Sequence, residues 1–414
     1  MDATNSPELI YDWNEIHRRH KPFGHVEFFD ETLRDGLQNP SVKDPTIEEK
    51  LELLHLMDEL GIDAADLGLP GASPRAYDDV LRLCQEIDRC KLRIRPAAAG
   101  RTVVADILPM IDIAQKTGLP VEVYTFIGSS PIRLFAEDWT VDKLVKHSAD
   151  AIDVAVKNGL PVCYVTEDTI RSRPEVLATL FKNAVDHGAA RLCLCDTVGH
   201  ATPDGVRNLV RFSRSVLASM GMTHVKLDFH NHNDRGLGLV NALVAVEEGI
   251  DRVHGTAGGI GERVGNTAME LILLNLKLAG ALEDHDLSKL TRYCELASRA
   301  TGMPIPVNYP LMGADAFRTS TGVHAAAIIK AQAKGDTWLA DRIYSGVPAD
   351  TFGRAQVIEV GPMSGGSNVQ HWLRAHHVEP TPELVQAIIQ HAKGAARVLE
   401  PEEILAVVAA HRAA

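Results

Sequence analysis

Short apolar runs recur along the first part of the chain, and longer segments with helical periodicity separate them. Each run has five to seven residues, the length of a buried strand. The runs lie at residues 25–29, 63–69, 92–97, 121–127, 161–166, 191–195, 225–230 and 251–256. Eight strands alternating with helices predict an α/β fold, a (β/α)8 barrel over residues 24–280, with a doubly wound open sheet as the alternative.

The segment after the first strand shows how the helices are recognised. In TIEEKLELLHLMDELG, Thr46 and Glu49 have the spacing of a capping box, and Ile47, Leu51 and Leu54 share one face. A glycine ends this segment and several of the others. Because no G-x-G-x-x-G sequence follows the first strand, the open-sheet alternative is weakened.

The pattern changes after residue 280. Residues 302–317 are rich in proline and glycine, which is typical of a linker or loop, and helical patterns follow to the end. The sequence therefore predicts an N-terminal segment (residues 1–23), a barrel (24–280) and a mainly helical C-terminal extension (281–414).

Composition and charge limit the classes of partner. The 414 residues are 45% hydrophobic and 23% charged, as in an ordinary globular protein, and the net charge is −13. An acidic chain is not drawn to nucleic acid or to an anionic membrane surface, and no apolar run is long enough to span a bilayer. The six cysteines lack C-x-x-C spacing and the N-terminus has no signal sequence, which predicts a cytoplasmic protein. Cys193 and Cys195 are expected to be buried strand residues, with a metal site as the alternative.

Two strand ends carry candidate chemistry. In a (β/α)8 barrel the reactive residues follow the carboxyl ends of strands, so Arg34 and Asp35 in FFDETLRDGLQNP should face the mouth. His230 and His232 in DFHNHND are two residues apart and should point to the same side of strand seven. With Asp35 they predict a 2-His-1-carboxylate centre for Zn, Mn, Fe, Co or Mg, with two surface histidines in a turn as the alternative.

Several separate motifs then give a family resemblance. DETLRDGLQ, DTVGHATP, HNHNDRGLGLVNALVAVEEG and GERVGN occur in order, followed by TGVHAAAI and YSGVPADTFGR in the extension. Over about residues 24–375 the chain resembles the acyl-CoA-condensing barrel enzymes, namely isopropylmalate, homocitrate and citramalate synthases, with hydroxymethylglutaryl-CoA lyase as a more distant relative. The resemblance implies an acyltransferase that condenses acetyl-CoA with a 2-oxo acid at a divalent metal (Zn, Mn, Co or Mg).

The resemblance also implies roles for individual residues around the substrate. Negative charge develops on the keto oxygen during such a condensation, and Arg34 would donate to it; a surface salt bridge is the alternative. Thr197 would bind the substrate carboxylate unless it only caps a helix, and Gln38 would also contact the substrate.

Proton removal from acetyl-CoA is assigned by resemblance to three further residues. Glu167 follows strand five, while His324 and Tyr344 lie in the extension and would come from a neighbouring subunit. This arrangement implies a homodimer.

Departures from the family pattern bear on the choice of 2-oxo acid. Tyr124 and Arg133 stand where relatives commonly have histidine, and both are predicted to bind substrate. Cys163 stands where homocitrate synthases usually have an arginine, Asp66 replaces a glutamate, and Gly258 replaces an asparagine. We therefore expect a dianionic oxo acid, such as oxaloacetate or a phosphonate or phosphinate analogue, with its distal anion on Arg133.

Two other functions remain open from the sequence. A carbon–carbon lyase would run the reverse type of reaction, but lyases of this kind carry a cysteine in the loop after strand eight, where this chain has GGIGERVGN. A non-catalytic binding barrel is the second alternative, and the predicted metal ligands beside Arg34 argue against it.

Overall fold

The computed structural model describes residues 9–14 and 23–413, which belong to two compact units. The described part of the first unit is residues 23–304. The second unit takes in residues 305–413 together with 9–14. Apart from residues 9–14 and 23, the predicted N-terminal segment lies outside the described residues.

The first unit is built on a closed barrel of eight parallel strands, each paired with the next in sequence. The strands are β1 Glu27–Asp30, β2 Ala64–Asp66, β3 Arg95–Arg101, β4 Glu122–Gly128, β5 Val162–Glu167, β6 Arg191–Asp196, β7 Lys226–Asn231 and β8 Arg252–Gly255. Asp30 of β1 is in register with Ala65 of β2 on one side and with Gly255 of β8 on the other. This closure confirms the predicted (β/α)8 barrel, and the open-sheet alternative is wrong.

Helices connect the strands along the outside of the barrel. They are α1 Ile47–Glu59, α2 Pro74–Cys90, α3 Val104–Thr117, α4 Pro131–Ala136, α5 Val141–Lys157, α6 Pro174–Asp186, α7 Pro203–Ser219, α8 Gly238–Glu247, α9 Met269–Leu278 and α10 Leu290–Thr301. The predicted capping box of α1 is formed, because the Thr46 hydroxyl accepts the Glu49 N–H and the Glu49 carboxylate accepts the Thr46 N–H. Leu53, Leu54 and Met57 form its buried face.

The barrel unit continues past residue 280, where the sequence predicts its end. The hydroxyl of Tyr293 in α10 donates to the Asp30 carboxylate and lies 3.3 Å from the Thr32 hydroxyl, at the exit of β1. Because Tyr293 is fully buried, α10 is part of the packing that holds the first strand exit in place. The division between the two compact units falls between residues 304 and 305.

The C-terminal unit is mainly helical, as the sequence predicts. Its helices are α11 Gly322–Ala333, α12 Thr337–Arg342, α13 Gly366–Ala375, α14 Pro382–Lys393 and α15 Pro401–Ala413, with a short parallel pair, β9 Arg318–Thr319 and β10 Val357–Ile358. Trp372, Leu373, Leu384 and Ile388 lie in the apolar cluster between the last three helices. Among the described residues of the whole chain, none of the helices combines the length and the apolar character that crossing a bilayer requires.

Candidate active site

The turn after β1 holds Arg34 in a fixed orientation. The N–H groups of Arg34 and Gly36 both donate to the Glu31 carbonyl, at 3.1 and 3.0 Å, which folds the chain back over the end of the strand. A side chain at Gly36 would have its Cβ 3.0 Å from the Ile260 side chain, so a larger residue there would require Ile260 to shift. The turn directs the side chains of Arg34 and Asp35 towards the barrel mouth.

The Arg34 guanidinium is bound by three carboxylates at once. Its Nε donates to Asp66, its Nη1 to Asp35 and its Nη2 to Glu31, each at 2.7 Å. Burial alone would lower the pKa of Arg34, but these three negative charges raise it, so the group stays charged. A guanidinium has five N–H groups, and the three bonds leave two of them for a ligand in the cavity.

The three predicted metal ligands lie together. His230 and His232 point to the same side of β7 and its continuation, as strand alternation requires. The Nε2 atoms of His232 and His230 lie 3.5 and 4.0 Å from Asp35 Oδ2. All three side chains are buried, and one donor atom from each lies within 4.8 Å of the others. This donor set, two imidazole nitrogens and one carboxylate, fits a divalent metal.

Neighbouring groups fix the protonation of these ligands. Glu31 Oε2 lies 2.6 Å from His230 Nδ1. A proton on Nδ1, shared with Glu31, leaves Nε2 as the nitrogen that faces Asp35 and is available to a metal. Burial would lower the pKa of His230, but the charge and hydrogen bond of Glu31 raise it to about 10. A metal must therefore displace one proton from this imidazole. Burial and the adjacent His230 lower the pKa of His232 to about 4, so this ring is neutral at pH 7.

Asn266 is a site residue that sequence reasoning missed. Its Nδ2 donates to Asp35 Oδ2 at 2.7 Å, and its backbone forms an isolated β-bridge with His232. The Asn266 Oδ1 and the His232 Nδ1 are buried without a hydrogen-bond partner. An unpaired amide oxygen next to the ligand set supports the fit to a metal, which would give that oxygen a partner. The sequence did contain an indication of this role, because Asn266 is the last residue of the GERVGN motif.

A cavity of about 300 Å³ lies at the mouth of the barrel beside these residues. Its lining consists of Glu31, Arg34, Asp35, Gln38, Ala99, Tyr124, Phe126, Val165, Glu167, Cys193, Cys195, Thr197, His230, His232, His254 and Glu262. Four of these side chains are carboxylates, and Arg34 is the one lysine or arginine in this lining, as far as the chain is described. The cavity by itself is therefore acidic, and an anionic ligand needs an added cation there.

Gln38, Thr197 and Tyr124 all line the cavity, as predicted for residues that contact substrate. The Thr197 hydroxyl accepts the Asp168 N–H at 2.8 Å and keeps its own proton for a ligand. The Tyr124 hydroxyl is engaged deeper in the barrel, where it donates to Asp228 at 2.6 Å and accepts from Arg252 at 2.7 Å. Tyr124 thus offers the cavity its ring rather than its hydroxyl.

Glu167, which lines the cavity, forms a pair at the rim with Arg133, which is not part of the lining. Glu167 ends β5, and Arg133 lies on the short helix α4 after β4, with its Nε 3.2 Å from Glu167 Oε1 and its Nη1 3.4 Å from Glu137. The Arg133 Nε is buried and makes no hydrogen bond, although the carboxylate is close. Burial raises the pKa of Glu167, and the Arg133 charge opposes that shift. A carboxyl with a raised pKa is suited to proton transfer.

His324 and Tyr344 are brought together within the C-terminal unit. Their ring centroids are 4.2 Å apart, and His324 lies in the first turn of α11. Tyr344 is half exposed. The structure thus pairs the two extension residues that the sequence singles out.

The remaining departures from the family pattern have local explanations. Asp66 accepts the Nε–H of Arg34, and Cys163 is buried with its Sγ 3.9 Å from Asp228 Oδ2. Gly258 has a φ of +63°, which glycine adopts without strain. Asp66 therefore helps to hold the site, whereas Cys163 lies outside the cavity lining.

The fold and the site define a class: a (β/α)8 barrel that gathers two histidines and one carboxylate, which could hold a metal ion, at the carboxyl ends of β1 and β7. The chain belongs to the HMGL-like family, whose pattern matches residues 25–296. It is 31% identical to a probable 2-isopropylmalate synthase of Methanopyrus kandleri over 89% of this chain and 69% of that protein. It is also 31% identical to the homocitrate synthase AksA of the same organism, over 89% of this chain and 87% of that protein.

A third relative is covered less completely. The 2-isopropylmalate synthase of Pyrococcus furiosus is 32% identical over 74% of this chain, and the match spans 60% of that protein's length. These relatives confirm the predicted family and the prediction that the chain is an acyltransferase of the synthase type.

Solved structures of lower identity share the fold. The HMG-CoA lyase of Brucella melitensis has a TM-score of 0.55 at 20% identity, over 66% of this chain and 98% of the lyase. The hydroxymethylglutaryl-CoA lyase of Pseudomonas aeruginosa has a TM-score of 0.54 at 20% identity, over 66% of this chain and 92% of that one. Both support the barrel architecture.

Proposed function

We propose that the chain catalyses a metal-dependent Claisen-type condensation of acetyl-CoA with a 2-oxo acid, giving a 2-hydroxy-2-carboxymethyl acid and CoA. The observation that carries the proposal is the convergence of Asp35, His230 and His232 next to Arg34 at the mouth of the barrel. The bond that forms joins the acetyl methyl carbon to the keto carbon, and the bond that breaks is the thioester, which water hydrolyses. The methyl group loses one proton, and the keto oxygen gains one.

Charge in the cavity favours a metal in this reaction. The 2-oxo acid is an anion, whereas four carboxylates line the cavity, and Arg34 already pairs with two of them, Glu31 and Asp35, and with Asp66. A divalent ion held by Asp35, His230 and His232, whether Zn, Mn, Co or Mg, would act as a Lewis acid on the keto oxygen and the neighbouring carboxylate. The Asn266 amide, whose nitrogen donates to Asp35 Oδ2, would help to hold that ligand in place.

The protein side chains would supply orientation and proton transfer. Arg34 has two N–H groups left to donate to the keto oxygen as negative charge develops on it. Thr197 would donate its hydroxyl proton to the substrate carboxylate, and Gln38 would contact the same ligand. Glu167, with its raised pKa, would take part in moving the methyl proton.

His324 and Tyr344 would complete the active site of a second copy of the chain in a homodimer. The pairing of their rings at 4.2 Å, with Tyr344 half exposed, supports a joint role at a surface of the C-terminal unit. We also propose a cytoplasmic location, because the cysteines of the chain are free thiols, as is usual in reducing compartments.

Mixing two inactive variants tests the subunit proposal. Arg34→Lys and His324→Ala chains, combined under conditions that exchange subunits, should recover about a quarter of wild-type activity if a C2 dimer re-assorts at random. Half of the dimers would then be hybrids, each with one intact site. No recovery after verified exchange, or a fully active monomer, would mean that each chain completes its own site.

The finer proposal concerns the side chain of the 2-oxo acid. Because Arg34 is bound to three carboxylates, a distal anion must find its cation at the rim, where Arg133 has a buried Nε–H without a hydrogen bond. We propose a dianionic oxo acid, such as oxaloacetate or a phosphonate or phosphinate analogue, with its distal anion on Arg133.

Arg133→Ala should weaken a dianionic oxo acid selectively. A charge-assisted hydrogen bond contributes about 1.5–3 kcal/mol, or about 10- to 150-fold in affinity. The KM for oxaloacetate should rise by that factor, while the KM for pyruvate, which lacks the second anion, should stay nearly constant. An equal effect on both oxo acids would instead reflect the Arg133–Glu167 pair and contradict the distal-anion proposal. A rise only in the KM for acetyl-CoA would assign Arg133 to the CoA phosphates.

The reaction itself is tested by acetyl-CoA-dependent release of free thiol. Pyruvate, 2-oxoisovalerate, oxaloacetate, 2-oxoglutarate and phosphonopyruvate cover short, branched and dianionic side chains. Release should require one of these acids, stop after chelation and return when a divalent metal is added back. Release that is independent of every oxo acid would indicate thioester hydrolysis and overturn the proposal.

A further inference from the structure

Two thiols meet in the wall of the cavity. Cys193 and Cys195 occupy alternate positions of β6, so both side chains point into the barrel, and their Sγ atoms are 3.8 Å apart. Both residues line the 300 Å³ cavity, although only 1% and 3% of their surfaces are exposed. The pair is therefore shielded from bulk solvent but open to a ligand that enters the mouth.

The interactions of this thiol pair are weak. Among the described residues, Cys195 Sγ has two hydrogen-bond partners, both at long distance. They are the Cys193 Sγ, at 3.8 Å, and the Cys193 carbonyl, at 4.0 Å. Cys163, on the neighbouring strand, differs because its Sγ lies 3.9 Å from the Asp228 carboxylate and it does not line the cavity. Cys193 and Cys195 thus differ from Cys163 in having a second thiol as the main partner.

The spacing of the sulfur atoms suits a shared ion better than a disulfide. Two residues along a strand advance about 6.6 Å, close to the upper limit of Cα separation for a disulfide. By contrast, two zinc–sulfur bonds of about 2.3 Å whose sulfur atoms are 3.8 Å apart enclose an angle of about 110°, which is tetrahedral. An ion between these thiols would need no movement of the backbone.

We propose that Cys193 and Cys195 form a binding site for a thiophilic divalent ion, such as Zn²⁺ or Cd²⁺, distinct from the Asp35, His230 and His232 centre. Each thiol gives up its proton to solvent as the ion binds, and the two thiolates balance the charge of the ion. Two positions of a tetrahedral ion remain for water.

The position of this thiol site connects it with the proposed reaction. Cys195 is in register with His230 across β6 and β7, and Cys193 with Asp228 one layer deeper. An ion on the thiols would therefore occupy cavity space next to the metal centre and exclude the oxo acid. This inhibitory consequence rests on the proposed function, whereas the binding itself does not.

Cd²⁺ is the probe, because a cadmium–thiolate bond adds an ultraviolet charge-transfer absorption that nitrogen and oxygen ligands do not give. The protein, with its divalent metal bound, is titrated with Cd²⁺ while absorption and bound cadmium are measured. The Cys193→Ser/Cys195→Ser variant should lose one equivalent of thiolate-bound Cd²⁺ relative to the wild type. Cys163→Ser, an equally buried cysteine in the same barrel, is the matched control and should keep it.

Three results would overturn the proposal. They are no thiolate band in the wild type, an unchanged band in the double variant, or equal loss in Cys163→Ser. Circular dichroism and unfolding midpoints establish that the variants are folded, and each single serine variant provides a milder change if the double variant is unstable. Because the readout is absorption, failure of the thiol site is separable from failure of the proposed condensation.

Discussion

Replacing Asp35, His230 or His232 by alanine should remove the bound divalent metal and abolish turnover. Each residue supplies one of three buried donors within 4.8 Å of one another, so two donors remain after any single change. A Lewis-acid metal contributes several kcal/mol to stabilising developing charge, and its loss should lower kcat by about 10³-fold or more. Elemental analysis and the thiol-release assay on the same preparation measure both effects.

His147→Ala provides the control for this experiment. His147 is an exposed histidine on the outer helix α5, so its removal should change neither metal content nor turnover. Full metal content in the His230→Ala protein would contradict the ligand assignment, whatever happens to activity.

Arg34→Lys should lower kcat by about 10²- to 10³-fold, the usual cost of removing one donor to a developing oxyanion. Lysine keeps the positive charge among Glu31, Asp35 and Asp66, but its ammonium cannot reproduce the planar fork that bonds to all three. Alanine would leave those buried carboxylates without a cation and could unfold the strand exit. The lysine variant therefore separates chemistry from folding, and its metal content should remain that of the wild type.

Arg171→Lys is the matched control for Arg34→Lys. Arg171 also pairs with a carboxylate after a strand, donating to the two Asp168 oxygens at 2.8 and 2.7 Å, but it does not line the cavity. This change should leave kcat within a few-fold of wild type. If Arg34→Lys were equally mild, Arg34 would be a structural ion pair and would have no role at the keto oxygen.

The sequence predicted those parts of the site that depend on local periodicity. Strand alternation alone places His230 and His232 on one side, and barrel topology alone brings them to the same end as Asp35. The capping box of α1 followed from spacing in the same way. Such features need no knowledge of which side chains meet across the barrel.

Contacts between distant segments could not be predicted in this way. The Asn266 amide reaches Asp35 from 231 positions away, and the Tyr124 hydroxyl is bound to Asp228 and Arg252. The packing of α10 against the exit of β1 likewise depends on a buried hydrogen bond from Tyr293 to Asp30. These pairings are set by strand register and by the burial of charge, and neither can be read from local pattern.

The central claim is that this chain joins the methyl carbon of acetyl-CoA to the keto carbon of a 2-oxo acid. The most direct test supplies acetyl-CoA with carbon-13 in its methyl group, together with the oxo acid of highest turnover, and follows the label by nuclear magnetic resonance. We predict that the labelled methyl becomes a methylene bonded to a carbon that carries hydroxyl and carboxylate groups. Label that stays in a methyl group, as acetate or as unchanged acetyl-CoA, would contradict the account.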